Sequence, residues 1–331
     1  MIQIRTAVLH VFDFAHSHLG LSEQLMPDED LRQLTFARKQ VEKMVESPNL
    51  KTGEFLPQSL RKNDFVKYAN EEISLLEIST SLAEEWYRLI KMSDKIEPSS
   101  LLCLDVYDNA KHLLVFMKYK TKNGYMYATK TVDGKKYEGI VENMSILPNT
   151  ATSVDECIVV DLDSLSIKYK DNIRVIEGQE TSIISDRLLF CTSNLSHKEI
   201  ITTIRNATED MCDTYEMDKL SHVAKTKAYI QEKLTEDGYL RLNELALDVF
   251  ENNNAMQDEY IQNLVDLHVP SDVFMHQGYA QTISKSQKMK TDTGIELTIP
   301  SIYFDDPEHF EIIQNEDGSM TIQIKNVLYV K

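Results

Sequence analysis

Glycine and proline are scarce in this 331-residue chain, at 10 and 8 residues. Long flexible linkers are therefore not expected. None of the glycines forms a GxG pair, and no GxxxxGKS or GxxxxGKT stretch occurs. That removes the usual loops whose backbone amides cradle phosphates. GxSxG and HExxH are absent, and no cysteine–histidine set has zinc spacing. The four cysteines, Cys103, Cys157, Cys191 and Cys212, are far apart and form no CxxC pair. They read as reduced, mostly buried thiols. No uncharged run reaches the ~18 residues a spanning helix needs. The opening MIQIRTAVLHVFDF does not read as a signal peptide. The expectation is a cytoplasmic protein with no membrane partner, no cofactor and no metal.

What is present is ordinary for a folded chain: 42% hydrophobic, 8% aromatic and 27% charged residues. The formal net charge is -18. Such a balance opposes tight, indiscriminate binding to polyanions, because the summed field repels phosphate. It leaves room for a local patch, since charges beyond about 8–10 Å are largely screened at physiological salt.

Alternation of Ile2, Ile4, Ala7, Leu9 and Val11 predicts a first strand. Helical spacing follows over 27–46 and 63–92. Runs at 101–107, 111–120, 125–132, 157–170 and 173–176 predict an antiparallel sheet covered by the N-terminal helices. From Ser196, with Glu199 three residues on as a capping box, the pattern turns helical. Asn243 is the expected cap of a later helix. Residues 279–331 look strand-like, with Asp317-Gly318 as a hairpin turn. The fold class is α+β. It is expected as an N-terminal α+β domain over 1–185 and a C-terminal helical plus β domain over 186–331. Helix, short strand, helix, helix and β-pair over 218–299 also suggest a winged helix.

Three constellations carry a weak chemical signal. His16 and His18 would share a strand face, but no further ligands can be located. Asp161 and Asp163 would pair on a strand, yet a turn cap explains them as well. Asp305, Asp306, Glu308 and His309 cluster around Pro307, where Asp-Asp-Pro reads first as a turn or helix start. No catalytic residue is assigned from them.

Positive charge is concentrated in two places. Residues 111–136 hold seven lysines and one acid, a local +6 that leaves -24 on the other 305 residues. Asn123-Gly124 is a strong hairpin signal. A two-residue turn there would pair Lys122 with Tyr125, Lys120 with Tyr127 and Lys118 with Thr129. One face would then offer three lysines and two tyrosines to phosphates and bases. The alternative is a solvated face whose lysines discourage edge pairing. The second patch is Lys285, Lys288 and Lys290, interleaved with short polar residues ahead of a turn at Asp292–Gly294.

That second patch opens the segment QKMKTDTGIELTIPSIYFDDPEHFEIIQNEDGSMTIQIKN. It closely resembles the C-terminal signature of the bacterial nucleoid-associated, NdpA-like family. IRTAVLHVFD, ILPNTATSVDECIVVDLDSLSIKYKD and EDGYLRLNELALDVFENNNAMQDEYI resemble the family's other landmarks in order. The resemblance implies a non-enzymatic protein of the bacterial nucleoid that binds DNA. It transfers no catalytic residue. DNA is the expected partner, held weakly and in a salt-dependent way. DNA-processing proteins are a second partner class, met through acidic stretches such as 209–218. A homodimer is one way to bring both lysine patches to one side.

Overall fold

Two long apolar runs, LLCLDVY and LLVFM, decide the first half of the fold. In the computed structural model they form strands buried on both faces. The structure describes residues 2–14, 16–45, 47–147, 154–251, 253–275, 287–299, 308–315 and 319–327. The chain divides into two compact units, Met1–Ser196 and His197–Lys331.

The first unit contains β1 (Ile2–Asp13), β2 (His18–Gly20), α1 (Asp28–Gln33), α2 (Thr35–Val45), β3 (Lys51–Gly53), α3 (Arg61–Ala69) and α4 (Leu75–Lys91). Then come β4 (Ser99–Asp108), β5 (Lys111–Lys120), β6 (Lys122–Val132), β7 (Lys135–Ile146), β8 (Glu156–Asp161), β9 (Ile167–Lys170), β10 (Ile173–Ile176) and β11 (Gln179–Ser182). A π-helical turn, Ile183–Leu189, closes the unit. Seven strands form one antiparallel sheet in the order β2-β1-β4-β5-β8-β9-β3. Strand alternation sends Leu101, Cys103, Leu114 and Phe116 to one core with Phe65, Leu82 and Trp86. Leu102, Leu104, Val115 and Tyr119 go to the opposite core with Ala37 and Val41. Helices thus cover both sheet faces, which is why β4 and β5 lack a polar side. Helix α4 is fixed at its start by a capping box, in which Ser74 and Glu77 bond each other's backbone amides.

The second unit contains α5 (His197–Thr214), α6 (Lys219–Glu236), β12 (Tyr239–Arg241), α7 (Leu242–Val249), α8 (Asn254–Asp266) and β13 (Asp272–Phe274). Its later strands are β14 (Gln287–Lys290), β15 (Glu296–Ile299), β16 (Phe310–Gln314) and β17 (Met320–Ile324). Ile204, Leu234, Leu245, Tyr260 and Leu264 are fully buried. Asn243 does not cap α7, because the helix already begins at Leu242, whose amide donates to the Ser271 carbonyl at 3.0 Å. β12 pairs with β13, while β14 and β15 pair only with each other among the described residues. The wing of a winged helix would extend the first pair, and this hairpin does not.

Candidate nucleic-acid interface

The expected hairpin around Asn123-Gly124 does not form. A strand has two hydrogen-bonding edges, and those of β5 are taken by β4 and β8. β6 therefore cannot fold back on it. Instead β6 pairs with β7, a strand absent from the sequence-based expectation, around the turn at Asp133-Gly134. Both turn residues have positive φ, 50° and 73°, as a two-residue type I′ turn requires. Gly124 sits beside a register shift within β6. A Cβ there would lie 2.3 Å from Ile146 Cδ1, so that glycine permits close packing and makes no turn. The Asp-Gly signal, followed by an unassigned stretch, was the sequence clue to β7.

The lysines of the basic stretch have separate fates. Lys118 is 1% exposed and lies between Asp155 (Nζ–Oδ2 2.9 Å) and Glu156 (Nζ–Oε2 2.7 Å). Arg174 donates to the same Glu156, with Nη2–Oε2 at 2.9 Å. Burial alone would raise the Glu156 carboxyl, but Arg174 and Lys118 outweigh it and hold it low, at about 2. Lys120 pairs with Glu97 at 2.8 Å and reaches Asp155 at 3.5 Å. These two lysines tie together β5 and the start of β8, the strands between which the β6–β7 ribbon is inserted. The expectation that Lys118 faces a ligand is corrected: it is a core cation.

Beyond that base, β6 and β7 make a separate two-stranded sheet. At about 3.4 Å per residue the ribbon is roughly 35 Å long. Lys122, Lys130, Lys135 and Lys136 are exposed on it. Among the described residues no carboxylate pairs with any of the four. Tyr125 and Tyr127 are 76% and 80% exposed, and Ile140 beside Tyr127 is 78% exposed. The expected company of these tyrosines with Lys118 and Lys120 is absent, since Tyr125 lies opposite Glu142 and Tyr127 opposite Ile140.

In the second patch, Lys285 lies outside the described residues. Lys288 pairs in register with Thr298 along β14–β15. Lys290 is exposed and lies 3.1 Å from the equally exposed Glu296. The expected turn is there: Gly294 has φ +89°, and Thr291 accepts its amide at 3.0 Å.

Two of the other constellations have local partners. His16 bonds Asp13 at 2.7 Å, and Asp161 caps a turn by accepting the amides of Asp163 and Ser164. Asp305 and Asp306 lie outside the described residues. Among the described residues no three histidine, cysteine, aspartate or glutamate groups could hold a metal ion together. A cavity of about 670 Å³ is lined by Arg5, Tyr68, Asp105 and His112, among others. Asp105 accepts from the Tyr68 hydroxyl (2.6 Å), His112 Nε2 (2.9 Å) and Arg5 Nη1 (3.4 Å), a satisfied buried carboxylate. No described helix is long and apolar enough to cross a membrane.

Comparison with protein families matches residues 8–330 to the family described as nucleoid-associated protein YejK. No curated protein matches the chain at a significant level.

Proposed function

The chain belongs to the nucleoid-associated YejK family, and from that premise we propose that it is a non-enzymatic DNA-binding protein. It contacts the phosphate backbone through local lysine patches. The observation that carries this reading is the ribbon: among the described residues, Lys122, Lys130 and Lys135 stand exposed with no carboxylate paired to them, in a chain of net charge -18. Lys285, Lys288 and Lys290 form the second patch. Few phosphates are neutralised, so binding is weak and falls with salt, each contact adding about -0.9 to the log–log slope. Fluorescence anisotropy with labelled DNA over a salt series tests it. Measurable affinity at low salt that declines linearly on the log–log plot supports the reading. No binding at the lowest salt overturns it.

A second reading is a protein adaptor for DNA-processing enzymes, with DNA contact made through them. One observation favours it: residues 242–275, including α7 and α8, carry seven acids and no lysine or arginine. That surface repels phosphate and complements a basic partner. A partner captured equally well after nuclease treatment supports this reading. Capture abolished by nuclease returns the weight to direct DNA contact.

A further inference from the structure

The register of the ribbon sorts its charges. Strand alternation places Met126, Ala128, Lys130 and Val132 on one face with their partners Val141, Gly139, Tyr137 and Lys135. That face has two lysines and no carboxylate. The opposite face has Tyr125, Tyr127, Thr129 and Thr131 with Glu142, Ile140, Glu138 and Lys136. It carries one lysine and two carboxylates, and Thr129 Oγ1 donates to Glu138 at 2.9 Å, which holds one of them there.

Deepening the DNA-binding reading on which it rests, we infer that the ribbon meets duplex DNA with one face only, the face bearing Lys130, Val132, Lys135 and Tyr137. Charge decides the side: phosphate approaching the Tyr125–Tyr127 face would meet Glu138 and Glu142. Shape decides the form of the ligand. The major groove, about 12 Å wide, admits a two-stranded ribbon. Gly139 keeps the acid-free face low. A Cβ there would lie 3.1 Å from Tyr137 Cε2 and 3.4 Å from Lys130 Cδ, so the ring and the lysine stem lean across the glycine. Tyr137 leans against the ribbon, is 47% exposed, and is the single aromatic on that face, so it offers no series of rings to successive unstacked bases. The tyrosines that could stack successive bases of a single strand, Tyr125 and Tyr127, stand on the acidic face.

The test compares the full-length chain with Lys130→Gln/Lys135→Gln, Lys136→Gln and Tyr125→Ala/Tyr127→Ala. Each binds a labelled duplex and the matching single strand over a salt series, with thermal melts to verify folding. The first variant is expected to make the duplex slope shallower by about 1.8, two contacts of about 0.9 each. Lys136→Gln and the double tyrosine variant are expected to bind duplex like the wild type, which in turn binds duplex more tightly than single strand. A full wild-type slope in the first variant overturns the face assignment while leaving DNA binding intact. So does an equal loss in Lys136→Gln, or single-strand binding that is tighter than duplex binding and lost with the tyrosines. Absence of any wild-type binding at low salt overturns the DNA-binding reading itself.

Discussion

Lys118 and Lys130 belong to one lysine-rich stretch and are chemically identical, yet they do opposite things. Lys118 ends up in the sheet, salt-bridged to Asp155 and Glu156. Lys130 stands on a two-stranded ribbon with both faces largely open to solvent. The difference is the number of neighbouring strands. β5 is flanked on both edges, so its side chains enter two cores, whereas β6 has only β7. Clustered charge in a sequence is therefore not by itself a surface patch. Its meaning depends on which strands fill the adjacent edges.

The sharpest way to break the comparison is Lys118→Ala. It leaves Glu156 buried with one partner fewer, and loss of a buried ion partner costs about 3–5 kcal/mol. A large fall in the denaturant midpoint is expected, with DNA affinity of the folded protein unchanged. Excision of the ribbon, joining residues 121 and 147 by a short turn, should do the reverse. Because β5 and β8 pair directly, the melting temperature should hold within a few degrees. The DNA salt slope should become shallower by up to about 2.7, three lysines (Lys122, Lys130 and Lys135) at about 0.9 each. An unaltered slope would assign the contact to the Lys285–Lys290 patch.

A third prediction concerns the polar groups beside the ribbon's base. Asp171 accepts from the Ser182 hydroxyl at 2.7 Å and the Ile184 amide at 2.6 Å. Burial, and then the charge of Glu156, raise its carboxyl from 3.8 to about 7. The unfolded chain loses that proton first, so this group lowers stability as pH rises from about 4 to about 7. His10 acts oppositely. Burial lowers it from 6.5 to about 4, and its Nδ1 accepts the Ser22 amide at 3.2 Å. It therefore adds stability as pH rises through the same window. Asp171→Asn should remove the falling contribution and uncover a stability that increases between about pH 4 and 6.5 in urea melts. The smallest effect belongs to Lys120→Ala. Its partners Glu97 and Asp155 are partly exposed, and such pairs contribute about 0–1 kcal/mol. A loss as large as that of Lys118→Ala would make the base one cooperative network.

Much was legible in the residues. The apolar runs at 101–107 and 111–120 marked central strands, and the Asp292–Gly294 turn was placed before its strand. The NdpA-like signature led to the family that matches residues 8–330. Local chemistry suffices for such features: alternation, turn residues and capping act over a few positions. Asn123-Gly124 misled because its turn chemistry is also local, while the choice of strand partner is not. Only the tertiary structure decided that β8, encoded beyond the whole ribbon, takes the free edge of β5. That pairing buried Lys118, expelled β6 and β7 from the sheet, and divided the remaining lysines between two faces. The composition determined that this acidic chain has a basic stretch; the long-range pairing of strands determined which of its lysines reach solvent.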